Sequence, residues 1–243
     1  NKARNRIQRD QLFAEKIAPH LKHASPETPE ADIDLSDKNI TDSQLQMLFA
    51  VCHPSVSTEA QIGLALRVLC GFGLDEIADA FLTNKETIHK RLVRAKEKLR
   101  LEKVKIALPG ADEIGNRLET VLTTLYLLFN EGYYSESRDV LLRNDLCLEA
   151  MRLTYLLLEN PQTNQPPVRA LLALMCFHAS RFDARKNENG EIILYQDQDE
   201  TRWNHELITR GAYFLHEAAQ GDNLSKYHLE AGIAYWPTIK PDT

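Results

Sequence analysis

The sequence predicts an all-α protein, and three observations carry that expectation. Only ten glycines and ten prolines interrupt 243 residues, while the good helix formers Leu, Ala, Glu, Lys and Arg are frequent. Apolar residues recur at spacings of three and four along most of the chain. The composition, 43% hydrophobic and 26% charged, is that of an ordinary globular protein and excludes disordered, collagen-like and membrane classes. No apolar run approaches the roughly 20 residues that a membrane-spanning helix needs.

The start of the chain carries Lys2, Arg4, Arg6 and Arg9 with no apolar stretch behind them, so it does not read as a signal peptide. It also lacks an initiator methionine and reads as a piece of something longer. Residues 1–22 are expected to be helical through Ile7, Leu12, Phe13 and Ile17, and residues 23–36 to be a flexible acidic linker. Thr41 or Asp42 is expected to cap a helix through Leu45, Leu48, Phe49 and Val51 that stops before Pro54. Ser57 opens the next, with Ile62, Leu64, Leu66, Val68 and Leu69 on a broad apolar face and Gly71 to Gly73 at its end.

A short helix over 74–81 follows, and after Leu82 and Thr83 the N-cap residue Asn84 opens a longer one from Lys85 to about Leu101. Pro109-Gly110 marks a boundary. Beyond it, helical stretches are expected at about 112–130, 145–158, 167–182, 200–219 and 224–236, with an extended piece over 190–195. Their paired apolar stripes suggest stacked helical hairpins, although no strict 34-residue period is visible.

Charge supplies the first functional clue. Residues 84–105 hold nine basic and three acidic side chains, whereas residues 106–243 hold 12 basic and 20 acidic ones. Ile88, Leu92, Ala95 and Leu99 form one apolar stripe on the 85–101 helix, and the basic residues lie off it. A short helix, a three-residue turn and a longer basic amphipathic helix make the helix-turn-helix plan. The longer helix spans about 25 Å, enough to lie in a major groove. Lys85, Glu86, Thr87, His89, Lys90, Arg91, Arg94 and Lys98 are the candidate DNA-binding residues. The first turn offers amides and a positive dipole end to phosphate, Glu86 suits a cytosine amino group, and the cations suit bases or phosphates. The same spacing also fits an ordinary solvated helix face.

The stretch from Val68 to Ala78, with Glu76-Ile77-Ala78, and the run from Asn84 to Arg100, with Thr87-Ile88-x-x-Arg91-Leu92-x-Arg94-Ala95-Lys96-x-x-Leu99, resemble region 4 of extracytoplasmic-function sigma factors. Phe81-Leu82-Thr83-Asn84 stands where that family more usually has Leu-Gly-Val-Ser. The Asp42-x-x-Leu45-x-x-Leu48-Phe49 segment, Cys52-His53-Pro54, Leu127 to Tyr133, and residues 195–211 resemble the subgroup with a long helical C-terminal extension. Asn1 to Ile7 resembles the last helix of region 2, most of which is absent. The resemblance implies three parts: 1–40, the end of a region 2-like helix plus the acidic linker; 41–106, a sigma region 4-like helix-turn-helix domain; and 107–243, a multi-helix bundle or TPR-like extension. It further implies a cytoplasmic transcription initiation factor. Its partners would be promoter DNA, the RNA polymerase core and an anti-sigma or other regulatory protein, with no membrane. Apolar residues near Leu48–Leu69 would help dock the polymerase, and the acidic extension would regulate, either by covering the basic helix or by binding a partner. The alternative is a helical adaptor or negative regulator that acts on a sigma factor or polymerase without reading DNA.

Other constellations read as structural first. Adjacent Cys52 and His53 point apart and have no second pair at ligand spacing, which argues against a metal. The four cysteines, Cys52, Cys70, Cys147 and Cys176, form no CxxC pair, which points to a reducing compartment. Gly132 is expected to cap the 112–130 helix, with Glu131, Tyr133 and Tyr134 as an alternative partner groove. Asp199 is expected to cap a helix rather than serve acid–base chemistry with its neighbours. No residue is assigned a catalytic role, and no cofactor or metal is called for.

Overall fold

The structure, a computed structural model, describes residues 36–134, 140–185, 187, 191–220 and 224–239. The expected helix over 1–22 and all of the expected linker but Ser36 lie outside them. The chain divides into two compact units, Asn1–Asn39 and Ile40–Thr243, and all the described residues but 36–39 belong to the second. The fold is all-α: the described residues form nine α-helices and short 3₁₀ turns, with no strand. No helix among them is long and apolar enough to cross a membrane.

The helices are α1 (Asp37–Val51), α2 (Thr58–Val68), α3 (Leu74–Ala80), α4 (Lys85–Leu101), α5 (Ile114–Tyr134), α6 (Val140–Leu158), α7 (Pro166–Ala179), α8 (His205–Ala218) and α9 (Lys226–Tyr235). Two apolar helices act as hubs. In α2 every residue from Ala60 to Leu66 is buried, and α3, α4 and α5 pack on it. In α7 burial runs almost all round the helix, and α5, α6, α8 and α9 surround it. A helix that is apolar on all sides belongs in the centre of a bundle. Because α5 touches both hubs, one apolar core runs from Leu45 to Ala231. The expected boundary at Pro109-Gly110 falls in the connection between α4 and α5, and the core continues across it.

Several helix limits differ from expectation. Helix α1 begins at Asp37, four or five residues before the expected cap. The hydroxyl of Ser36 already accepts from the Asn39 amide (3.4 Å). Helix α5 does not end at Gly132 but runs on to Tyr134, with Gly132 buried inside it. Tyr133 stacks on Phe129 (5.7 Å between centroids) and lies against His178. Arg185 donates to its carbonyl and sits over its ring. These contacts hold Tyr133 in the helix past its glycine. Helix α7 ends at Ala179 rather than Phe182, and Phe182–Ala184 is a separate 3₁₀ turn. Residues 200–202 form another such turn, opened by Asp199, whose carboxylate accepts from the Thr201 amide (3.0 Å).

The turn between α3 and α4 is a Schellman closure. Leu82 N–H donates to the Asp79 carbonyl (3.2 Å) and Thr83 N–H to the Ala78 carbonyl (2.9 Å), which places Leu82 at the left-handed C′ position with φ 47°. A left-handed L-residue costs about 1–2 kcal/mol, more than the roughly 0.5–1 kcal/mol of chain entropy that glycine adds. Leu82 is 66% exposed, so little burial offsets that strain. Leu82→Gly is therefore expected to stabilise the chain by up to ~1 kcal/mol, read as a raised urea midpoint.

Candidate nucleic-acid interface

Helix α4 begins where its sequence says it should. The Asn84 side chain accepts from the Thr87 amide (2.8 Å), and the helix then runs to Leu101. Ile88, Leu92 and Ala95 are buried against α2 and α3. The approach is close because α2 presents Gly63 there: a Cβ at that position would stand 3.0 Å from the Leu92 side chain. Helix α3 is held at its own start by the Glu76 carboxylate, which accepts from the Gly73 amide (2.6 Å). Burying one stripe of α4 fixes which of its residues face out.

Five of the eight candidate residues come together. Thr87, Lys90, Arg91, Arg94 and Lys98 line an open cleft of about 430 Å³, whose other wall is Ser55, Val56, Ser57 and Ala60. Lys90, Arg94 and Lys98 are exposed, while Arg91 is half-buried with its guanidinium over the Phe81 ring (5.7 Å to the centroid). None of these four cations is ion-paired with a described residue. The other three, Lys85, Glu86 and His89, are exposed but do not line the cleft. Lys85 instead pairs with Asp75 across the α3–α4 turn (2.7 Å), a solvated ion pair of small energetic weight. The structure thus separates the basic residues into a paired one bracing the turn and an unpaired row along one face.

The far wall of the cleft is pinned by a buried network that the sequence reading did not single out. Gln61 of α2 donates to the carbonyls of His53 (2.9 Å) and Val56 (3.0 Å). That orientation leaves its amide oxygen to accept from the Thr124 hydroxyl on α5 (2.7 Å). The signal was present as one polar residue on the apolar face of α2, but its partner lies 63 positions away. Arg117 of α5 ties the same corner by donating to the Phe49 carbonyl at the end of α1 (2.6 Å). Thr124→Val keeps the shape and removes the donor, leaving a buried acceptor open. It is expected to cost about 1–3 kcal/mol, read by chemical denaturation, with Thr124→Ser recovering most of the loss.

Leu48, Phe49, Leu64 and Leu66, assigned above to polymerase docking, are core residues, while Val68 is exposed. No described part of residues 106–243 covers the basic row, because Lys90, Arg94 and Lys98 stand exposed. Cys52 is buried in the core, and the His53 ring turns to the Ser55 hydroxyl (2.8 Å). Burial and the neighbouring Arg117 lower the His53 pKa. Burial pushes the Cys52, Cys70 and Cys176 thiols up to about 12, so none carries thiolate reactivity at neutral pH. Among the described residues no three His, Cys, Asp or Glu side chains come together in a metal-binding group. Of the Glu131, Tyr133 and Tyr134 group, Glu131 and Tyr134 line an open groove of about 460 Å³ with Phe81 and Leu82, whereas Tyr133 is buried behind it.

Comparison with known proteins adds a relationship without an activity. Residues 117–219, from α5 through α8, match a family described as a family of unknown function (DUF6596). The chain is 34% identical over 200 residues to an uncharacterized protein of Rhizobium meliloti (strain 1021), an alignment that covers 82% of this chain and 47% of the relative. The chain thus spans about half the length of that relative. No solved structure matches.

Proposed function

We propose that this chain is the promoter-reading and regulatory portion of an extracytoplasmic-function type sigma factor. Helix α4 enters the major groove, with α3 and the Schellman turn as the first half of a helix-turn-helix. Thr87, Lys90, Arg91, Arg94 and Lys98 face the duplex, with Lys85, Glu86 and His89 on its flank. The observation that carries the reading is the row of unpaired cations on a capped, rigidly seated helix beside an open cleft. Unpaired surface cations neutralise phosphates without first breaking an ion pair. RNA polymerase core is the expected partner, and the helical extension from α5 onward is the regulatory element, open to an anti-sigma or other regulatory protein. The reading places the protein in the cytoplasm, with no catalytic residue, cofactor or membrane contact.

The test is binding of this chain to a promoter library at several salt concentrations, beside the Lys90, Arg91 and Arg94 triple alanine variant. Sequence-selective, salt-sensitive binding that the triple variant loses supports the reading. Absence of selective binding by the parent chain overturns it in favour of a helical adaptor that acts on a sigma factor or polymerase without reading DNA.

A further inference from the structure

A second cleft, of about 400 Å³, opens far along the chain from the basic row, between the C-terminal ends of α5 and α7, the 3₁₀ turn at Tyr195, and α9. Its floor is apolar, with Leu174 from α7 and Ala234 from α9, and the exposed Ile233 of α9 stands at its rim. Charges of opposite sign stand on its walls: Arg181 just beyond α7, and Glu230 on α9. They do not pair with each other, and neither is ion-paired with another described residue. Opposite charges in one cleft attract across it, and where they do not meet, a molecule carrying both charges can join them.

Arg181 is held ready rather than left loose. Its guanidinium lies over the Tyr195 ring (4.7 Å to the centroid), and its Nη2 donates to the Tyr133 hydroxyl (3.4 Å) and to His178 Nδ1 (3.1 Å). Burial, reinforced by Arg181 and Arg185, pushes the His178 imidazole down to about 4, so it stays a neutral acceptor and brings no competing charge. Arg181 Nε and the Tyr195 hydroxyl are buried without a hydrogen-bond partner among the described residues. Native interiors seldom leave such groups open unless something else satisfies them. Across the cleft, the half-buried Glu230 presents a carboxylate, whose two oxygens accept hydrogen bonds.

We propose that this cleft binds a small zwitterion with an apolar body, an α-amino acid of the leucine or phenylalanine kind. Arg181 takes the carboxylate, Glu230 takes the ammonium, and Leu174, Ile233 and Ala234 take the side chain. The volume lies within the range of small-molecule sites, and the mix of apolar floor and few polar groups is their usual lining. A bound amino acid bridges α9 to the end of α7, so it stabilises the extension by mass action.

The experiment is calorimetric titration of the full chain with L-leucine and L-phenylalanine, alongside N-acetyl-leucine, leucinamide and glycine. Saturable binding is expected for the first two, and each of the other three, lacking one charge or the apolar body, binds at least tenfold more weakly. Glu230→Gln, near-isosteric and at a partly exposed position, lowers leucine affinity to that of N-acetyl-leucine and leaves N-acetyl-leucine binding unchanged. Ile233→Arg, at a 74% exposed position on the rim, abolishes binding of both by reaching across the mouth of the cleft. An unchanged melting temperature of either variant without ligand shows that the fold is intact. Absence of saturable binding of leucine and phenylalanine at millimolar concentration overturns the proposal. So does N-acetyl-leucine binding as tightly as leucine, or leucine binding that Glu230→Gln leaves unaltered. No DNA enters this titration, so its failure leaves the promoter-reading proposal untouched.

Discussion

Replacing Lys90, Arg91 and Arg94 together by alanine is expected to weaken binding to the preferred promoter by about 100- to 1,000-fold, because each cation facing a phosphate or base edge is worth roughly 1 kcal/mol or more. The salt dependence carries the sharper signature. Each neutralised phosphate contributes about −0.9 to the slope of log affinity against log salt, so losing three contacts flattens it by about 2.7. Lys90 and Arg94 are exposed and Arg91 half-buried, and none holds a salt bridge with a described residue, so little stability is lost with them. Lys85→Ala is the matched comparison, since Lys85 is occupied by Asp75 at 2.7 Å. It is expected to change affinity far less than the triple variant. A Lys85→Ala loss in log affinity one third that of the triple variant would mean that the binding follows total charge rather than the cleft face.

Gly211→Ala is expected to destabilise the protein by up to about 2 kcal/mol, although alanine is the better helix former. Gly211 lies buried in α8 where that helix crosses α7. An added Cβ would stand 2.7 Å from Phe177 Cε1 and 2.9 Å from Cδ1. The ring has nowhere to go: Phe177 is wholly buried and stacks on Tyr235 at 5.1 Å. Overpacking of this kind costs about 1–3 kcal/mol, against the roughly 1 kcal/mol that alanine returns in helix propensity. Gly232 in α9 supplies the opposite case, because a Cβ there meets nothing within 4 Å. Gly232→Ala is expected to stabilise by up to ~1 kcal/mol. In a chain of this size each kcal/mol moves the melting temperature by about 2–4 °C, so calorimetry resolves the two signs. A stabilised Gly211→Ala would mean that α8 is free to slide away from α7.

The two glycines show where sequence reading stops. Both sit in the middle of helical patterns, and nothing local distinguishes the one that touches a ring from the one that touches nothing. The same holds for α5. A glycine after a long apolar run reads as a stop, yet the Tyr133 stack and the Arg185 cap carry the helix on to Tyr134. Helix α4, by contrast, was legible in its start and in most of its buried stripe. Asn84 caps within one turn, Ile88, Leu92 and Ala95 repeat on one face, and these signals act over three or four residues. The basic cleft was half legible. Its α4 wall followed from the stripe, whereas its second wall, Ser55 to Ala60, came from a loop fixed by Gln61 and Thr124.

Composition and periodicity were enough to establish an all-α protein with a capped, basic, amphipathic helix after a short partner helix. Those properties arise from propensity, capping and patterning within a turn or two of chain. Only tertiary structure decided which cations stay unpaired, which glycine is crowded and which opposite charges share a cleft without meeting. These arrangements involve residues as far apart in sequence as Arg181 and Glu230, which line one cleft, or Gln61 and Thr124, which hydrogen-bond. They depend on how apolar faces interlock around α2 and α7, and the spacing of residues along the chain does not encode that distance.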